Sequence, residues 1–331
     1  MIAAVAFQRF KALRDTRIVL RPFNLIVGPN GSGKTSLIQA LLQLRTLTRL
    51  KPGSAAVQSP DDGQGTSIEF QFVTPDEEIS ARLSCSEEVA CDHIRFSPQG
   101  AAGMHQLERD IAGIRIFQLD HLAMAGPCAA QESLELAANG ANISAVLAAL
   151  QTGHGDAFAR LQAELLRIMP EFAGLDFSRP TPDTIQLSLA LRHGAGTVAA
   201  DSLSQGTLYL LAILLLAHHP RPPTVICIEE IDRGIHPRML RELRDLLYRL
   251  SYPESGADSS RAAVQVIATT HSPYLLDLFK DHPEEIIIAQ KRGNAAHFDR
   301  LSDRDDLAEL LAEGSLGDLW FSGILGGVPE D

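Results

Sequence analysis

Two hydrophobic patterns alternate along the chain. Runs of β-branched and aromatic residues predict strands at residues 2–8 and 17–27. Within the second strand, Phe23–Val27 is continuously apolar, as in a strand buried on both faces. An apolar stripe at helical spacing then predicts a helix over Ser36–Leu50. Residues 51–66 are rich in Pro, Gly and Ser and predict a loop.

The middle of the chain first alternates apolar and polar residues and then becomes helical. Segments 67–73, 79–85 and 93–97 predict an antiparallel meander with one face in water. A further strand is predicted at Ile114–Asp120. Residues 127–172 are rich in Ala and Leu and predict helices.

The last third alternates strands and helices. The helix predicted at 203–217 is apolar on nearly all faces, which indicates burial, whereas the helix at 237–251 is amphipathic. Strands are predicted at Thr184–Leu191, Thr224–Glu230, Val264–Thr270 and Glu285–Gln290. This alternation predicts an α/β fold with a mostly parallel sheet.

Composition excludes several classes of protein. With 331 residues, 45% hydrophobic and 21% charged, the chain is globular rather than disordered. Its longest apolar run, Thr207–Ala217, is too short to span a bilayer, and no signal peptide is apparent. No C-x-x-C pair occurs among the four cysteines, Cys85, Cys91, Cys128 and Cys227. We therefore expect neither a disulfide framework nor a zinc finger, and a location in the reducing cytoplasm. We also expect no membrane partner.

The net charge of −12 argues against a surface built to coat nucleic acid, but the charge is uneven. Residues 1–51 hold nine basic groups and one acid, so that segment carries +8 and the remainder −20. The segment forms either a local basic face or a set of ordinary solvated arginines.

The strongest motif is G-x-x-x-x-G-K-[ST] between a predicted strand and a predicted helix. Its glycines let backbone N–H groups turn toward a phosphate, and the helix N-terminus favours negative charge. Lys34 would reach the β- and γ-phosphates, and the Thr35 hydroxyl would take a Mg²⁺ position. The candidate nucleotide-binding residues are Gly28, Pro29, Asn30, Gly31, Ser32, Gly33, Lys34, Thr35 and Ser36.

Two adjacent carboxylates, Glu229 and Glu230, end an apolar strand. At the carboxyl edge of an α/β sheet, one carboxylate can hold Mg²⁺ and the next can orient or deprotonate water. The alternative is that both are simply solvated.

Two further segments are candidate phosphate contacts. Asp201–Thr207 opens the buried helix with a serine and a glycine, which makes either an anion site or an ordinary helix cap. His271 follows a buried strand and either senses a γ-phosphate or is structural. The acids within Asp303–Asp306 could form a metal cluster. We expect instead that they start a helix, because the helix dipole favours negative charge at its N-terminus.

In this order, the motifs resemble the ABC-type ATPase heads of the soluble structural-maintenance-of-chromosomes, RecF and OLD-like group. The resemblance is carried by FNLIVGPNGSGKTSLIQAL, LSQGTLYLLAILL, IEEIDRGIHP, TTHSPYLLD and the tail Gly314–Gly323. It implies one α/β P-loop ABC-type ATPase head over 1–331, with a mixed, largely parallel core sheet. Within that head it implies an antiparallel β subdomain at 54–126, a helical insert at 127–183 and the remaining motifs in 184–331.

The resemblance also implies a mechanism in which two heads face each other head to tail, each ATP lying between one P-loop and the partner's signature. Ser204, Gln205 and Gly206 would contact the nucleotide of the partner, although Gln205 stands where transporter-type signatures have glycine. The implied catalytic residues are Glu230 as base, His271 as switch and Lys34. The implied Mg²⁺ residues are Thr35, Glu229 and, as a candidate linking glutamine, Gln118.

Two functions of different class follow. The first is an ATP-hydrolysing switch that forms a homodimer on ATP, acts in DNA repair, DNA maintenance or anti-phage defence, and works with a separate nuclease-type effector on double-stranded DNA. The second is a nucleotide-gated protein-interaction module with slow turnover and no DNA contact. We expect neither a long coiled coil nor a TOPRIM domain, so nuclease activity within this chain is not expected. A phosphotransferase would not account for the signature and His271.

Overall fold

The computed structural model describes residues 1–50, 65–194, 196–253 and 262–326. The predicted loop at 51–66, and with it the start of the antiparallel region at 54, lies almost wholly outside the described residues. The strands are β1 (Ile2–Phe10), β2 (Leu13–Val19), β3 (Phe23–Val27), β4 (Thr66–Phe72), β5 (Ser80–Glu87), β6 (Ala90–Ser97), β7 (Ile114–Phe117), β8 (Cys128–Ala129), β9 (Phe172–Ser178), β10 (Thr184–Leu191), β11 (Thr197–Ala199), β12 (Val225–Ile228), β13 (Gln265–Thr270), β14 (Ile286–Arg292) and β15 (Ala295–Arg300). The helices are α1 (Lys34–Arg49), α2 (Met104–Ala112), α3 (His121–Ala125), α4 (Ile143–Gly153), α5 (Gly155–Ile168), α6 (Gln205–His218), α7 (Leu240–Ser251), α8 (Pro273–Asp277), α9 (Leu307–Glu313) and α10 (Leu316–Phe321).

The chain divides into two compact units. The first unit comprises Met1–Ile116, Pro223–Cys227 and Ser260–Asp331, and the second comprises Phe117–Pro222 and Ile228–Ser259. An α/β fold with antiparallel and parallel sheets agrees with the predicted class.

An antiparallel sheet in the first unit has the order β2-β1-β4-β5-β6. Its strands β4, β5 and β6 are the predicted meander, with Leu83 and Phe70 buried and Glu87 exposed. Cys85 and Cys91 pair across β5 and β6 and are joined by a disulfide. The expectation of reduced cysteines is therefore wrong for this pair, because the strand register brings the two side chains together.

The central sheet has the order β15-β14-β3-β13-β12-β7. Its strand β3 is buried at every position and is flanked by β13 and β14, both parallel to it. The buried Asn24 amide satisfies local backbone groups, accepting from Arg21 N at 2.9 Å and donating to Arg21 O at 2.6 Å. This local turn separates β2 from β3, so the single strand predicted at 17–27 is wrong.

The second unit combines a small sheet with a helical layer. In the sheet β10 lies between β11 and β8 and also pairs with β9. Residues 206–217 of α6 are all buried, as the apolar pattern predicts. The prediction of helices throughout 127–172 is only partly correct, because α4 and α5 begin at Ile143 and Gly155 while β8 lies at Cys128–Ala129. Among the described residues, no helix is long and apolar enough to cross a membrane.

Candidate nucleotide-binding site

The predicted phosphate loop occupies the turn from β3 into α1. A Cβ atom added at Gly28 would collide with the carbonyl oxygen of Ala289, and Gly31 and Gly33 have φ angles of 79° and 95°. The first position therefore requires glycine for space and the other two for backbone conformation. The helix begins at Lys34, two residues earlier than the apolar stripe predicts.

Lys34 and Ser32 point polar atoms into this loop. The Lys34 Nζ donates to the carbonyl oxygens of Gly28 at 2.7 Å and Pro29 at 2.8 Å. Ser32 is fully buried, and its Oγ has no hydrogen-bond partner within the described part of the chain. A buried hydroxyl normally has a partner, so a glycine cradle with an orphaned Oγ and a lysine folded over it fits a phosphate group.

Thr35 is exposed in the first turn of α1, and Asn30 and Gly31 are exposed at the loop tip. Thr35 is therefore accessible to solvent at the start of the helix, and its hydroxyl would be a ligand for a Mg²⁺ ion bound to phosphate oxygens.

His271 leaves the sheet at the same edge as the phosphate loop. Thr270 of β13 pairs in register with Val27 of the parallel strand β3, so the residues that follow both strands start side by side. The Thr270 Oγ1 accepts from Ser272 N at 3.0 Å, and Ser272 caps α8. These bonds hold the backbone on both sides of the exposed His271, at the same edge of the sheet as the phosphate loop.

The signature residues lie at the start of α6 in the second unit. Ser204 is the N-cap, and its Oγ accepts from Thr207 N at 3.2 Å. The carbonyl oxygen of Gly234 lies 2.5 Å from the Cβ position at Gly206, and a Cβ at Gly234 would lie 2.6 Å from Gln205. Ser204 therefore has the ordinary role of a helix cap, and the backbone at Gly206 closely approaches that at Gly234.

The paired carboxylates follow β12 rather than ending it. The strand stops at Ile228, so the prediction that a strand carries Glu229 and Glu230 is wrong. Glu230 has a φ angle of 49°, uncommon for a residue with a side chain, and it is 3.6 Å from Arg233. The turn that continues to Gly234 replaces the last strand residues, and this turns the Glu230 side chain out into solvent, 52% exposed.

Gln118 is brought close to this turn. It follows β7, and the amide of Glu229 donates to the carbonyl oxygen of Phe117 at 3.1 Å. Gln118 and Glu229 thus leave adjacent strands at the same level. No group of three or more His, Cys, Asp or Glu residues that could hold a metal occurs in the described ranges.

The sequence argument missed two contributors to the site. Gly234 supports the signature, and Ala289 of β14 lies against Gly28. Gly234 could have been noticed in the sequence, because a glycine directly follows the acidic segment. The contact of Ala289 with Gly28 depends on strand order, for which the sequence carried no signal.

Comparison with known families decides the identity at family level. A family model described as "AAA domain, putative AbiEii toxin, Type IV TA system" matches residues 23–277, which is more than half of the chain. The chain belongs to this AAA family. The match begins at β3 and ends in α8, so it includes all of the candidate site residues of this AAA-family chain.

Solved head domains of structural-maintenance-of-chromosomes (SMC) proteins share the fold of this AAA-family chain. A SmcHead bound to the C-winged helix domain of ScpA is 14% identical, with a TM-score of 0.62, covering 90% of this chain and 96% of its own. The SMC head domain from Thermotoga maritima is 15% identical with a TM-score of 0.53, covering 90% and 98%. A Pyrococcus furiosus Smc head domain is 12% identical with a TM-score of 0.57, covering 94% and 98%. No curated protein matches the chain.

The chain belongs to the AAA family, and its fold is similar to that of SMC head domains. Within the first unit the phosphate loop and His271 follow adjacent parallel strands at the same edge of the sheet. Within the second the structure brings together the signature and Gly234, and separately Gln118 and Glu229.

Proposed function

We propose that this AAA-family chain binds and hydrolyses ATP with Mg²⁺ and uses the cycle as a molecular switch. The observation that carries the proposal is the phosphate loop, in which three glycines, the orphaned Ser32 Oγ and Lys34 surround one position. ATP supplies the phosphates that this loop fits, and Mg²⁺ supplies charge neutralisation at the β- and γ-phosphates.

Lys34 would exchange its acceptors on binding. Its Nζ now donates to two loop carbonyls, which shows that the ammonium can be satisfied in place without a ligand. Phosphate oxygens are stronger acceptors than carbonyls because they are charged. Ser32 Oγ would gain the partner it lacks, and Thr35 and Glu229 would hold the ion.

Glu230 would serve as the general base. A carboxylate activates water when it lies within hydrogen-bond reach of the attacking oxygen. Its left-handed backbone supports this role, since strained conformations of residues other than glycine concentrate at functional sites. His271 would contact the γ-phosphate from the neighbouring strand end.

A head-to-tail homodimer would complete each site with the partner copy. Ser204, Gln205 and Gly206 would face the nucleotide bound by the opposite phosphate loop. The support is that the exposed Ser204 caps the start of α6, which Gly206 holds close against the turn at Gly234.

The biological role we favour is DNA repair, DNA maintenance or anti-phage defence in the cytoplasm, with a separate effector protein. The family description, which names a putative toxin of a Type IV TA system, supports a defence role. One structural neighbour is bound to a winged-helix domain of ScpA, which supports a protein partner. The basic segment at 1–51 is the support for double-stranded DNA.

A nucleotide-gated interaction module is the second candidate, favoured by the net charge of −12. Steady-state ATP hydrolysis with and without linear double-stranded DNA separates the two, with Glu230→Gln as the blank. Stimulation by DNA supports the DNA-engaged switch. Turnover that is indifferent to DNA supports the interaction module, and no turnover above the blank contradicts hydrolysis by the chain alone.

A further inference from the structure

A cavity of about 510 Å³ in the first unit is not used by any of the motifs above. Four arginines line it, and we call it the arginine cavity: Arg17, Arg292, Arg300 and Arg304. Its walls come from β2, β14, β15 and the turn that follows β15, and no residue of the phosphate loop lines it. Its volume is that of a typical small-molecule site.

The cavity is positively charged. Its lining holds four arginines and two aspartates, Asp299 and Asp303, and Asp306 pairs with Arg304, which leaves a net charge of +1. In the described part of the chain, Arg17 donates to the neutral amide of Gln71 at 2.7 Å. Arg292 lies 3.9 Å from Asp299, the outer limit of an ion pair. Arg17 is therefore bonded to a neutral group and Arg292 is only loosely paired, so both guanidinium groups can attract an anionic ligand.

The other two arginines are held in fixed positions. Arg300 is only 9% exposed and donates to the backbone carbonyls of Glu284 and Val19, the latter at 2.6 Å. Arg304 forks onto Asp306 with bonds of 2.8 and 2.7 Å. A charged side chain buried against backbone carbonyls forms a preorganised wall, which lowers the cost of ordering a ligand.

The lining of the cavity is mixed rather than apolar. Ile18 and Ile288 are almost fully buried, whereas Val19 and Phe298 are accessible. A ligand that fits therefore carries an anionic group for the guanidinium donors and can place a flat part against Phe298. Guanidinium groups bind phosphate bidentately and stack on planar groups.

We propose that the arginine cavity binds a phosphate-bearing small molecule of mononucleotide size, at a site separate from the phosphate loop. The proposal does not rest on ATP hydrolysis, because the cavity and the loop share no residue. The same phosphate chemistry could come from a nucleic-acid strand, and the experiment distinguishes these sources.

Calorimetric titration of the full chain tests the site. All titrations use the Lys34→Ala variant, which lacks the phosphate-loop cation, so that binding at the cavity is measured separately. The probes are adenosine monophosphate, inorganic pyrophosphate and a short single-stranded oligonucleotide without a terminal phosphate. The test variant is Arg17→Ala/Arg292→Ala. The matched control is Arg109→Ala/Lys280→Ala, which removes the same charge from exposed residues of the same unit outside the basic segment. Arg109 donates to Gln106 at 2.6 Å, and neither residue lines the cavity.

We expect adenosine monophosphate to bind in the Lys34→Ala background, with a Kd raised about tenfold or more by the test variant and changed less than about twofold by the control. Retention of ATP binding by Arg17→Ala/Arg292→Ala with Lys34 intact shows that the test variant is folded. The proposal is overturned if no probe binds, or if both variants bind equally. It is also overturned if Lys34→Ala alone abolishes binding, or if only the oligonucleotide binds.

Discussion

The carbonyl oxygen of Gly234 lies 2.5 Å from the position that a Cβ atom on Gly206 would occupy. Real Cβ atoms do not approach backbone oxygen this closely, so the start of α6 and the turn after Glu230 are packed backbone to backbone. In the proposed mechanism the signature contacts the nucleotide and the turn follows the catalytic base. A change in either segment must therefore be transmitted to the other.

Gly206→Ala tests this contact. The added methyl must push α6 away from Gly234, and overpacking of this kind costs about 1–3 kcal/mol of unfolding free energy. We expect the variant to lose ATP-dependent dimerisation in sedimentation experiments, while ATP still binds each monomer. Gly126→Ala is the matched control, because a Cβ there meets nothing within 4 Å. Normal dimerisation of Gly206→Ala would show that this contact does not position the signature.

Lys34→Ala tests the phosphate loop. Loss of the ammonium removes the cation that would bind the β- and γ-phosphates, so we expect no measurable ATP binding by equilibrium dialysis. Lys280→Ala removes an exposed lysine elsewhere in the same unit and should leave the affinity unchanged. If both variants keep the affinity of the parent, the loop is not the nucleotide site.

Glu230→Gln tests the general base. The amide cannot accept a proton from water, so we expect ATP to bind and turnover to fall by about 10²–10⁴-fold, with the dimer accumulating. Phosphate release and sedimentation measure the two effects. Glu309→Gln, an exposed carboxylate of α9, is the control. Unchanged turnover would assign the base to another residue.

Glu230→Gly separates strain from catalysis at the same position. Glycine adopts a φ angle of 49° without the steric cost that a side chain incurs, so we expect the unfolding free energy to rise by about 1 kcal/mol. Hydrolysis should fall as in Glu230→Gln. Urea denaturation provides the measurement, and a variant less stable than the parent would show that the left-handed conformation is not strained.

Glu164 links α5 to α6 and α7 and gives stability a pH dependence. Burial alone would raise its pKa, but hydrogen bonds from His218 and Arg249 outweigh burial and lower the pKa to about 2 from 4.5. A depressed carboxyl pKa stabilises the folded state above the unfolded value, and this contribution is lost as the pH falls from about 4.5 to about 2.

We therefore expect Glu164→Gln to lower the unfolding free energy at pH 7 by about 1.5–3 kcal/mol, the range for hydrogen bonds to charged groups. Urea denaturation across this pH range should show the deficit shrinking toward the acid end. The exposed Glu132→Gln should show no deficit at any pH. A deficit for Glu164→Gln that is independent of pH would contradict the charge argument.

Much of this fold follows from local pattern. Period and apolarity located β3, β13, α6 and α7, because each is buried on a regular set of positions and its signal lies within a few neighbouring residues. Local chemistry also identified the phosphate loop, since glycine, lysine and threonine at fixed spacing constrain the same backbone. The separation of β2 from β3 was missed because the connection is only three residues long, Leu20–Pro22, and Asn24 at the start of β3 bonds back to Arg21.

Contacts between distant segments were decided by tertiary structure. The sequence alone determined the α/β class, the nucleotide motif and the identity of the candidate residues. Strand order and register determined four features that the sequence did not show. These are the packing of Gly206 on Gly234, the contact of Ala289 with Gly28, the disulfide between Cys85 and Cys91, and the cavity lined by four arginines. These depend on which segments pack together, and that choice reflects the free energy of the whole core rather than of any one segment.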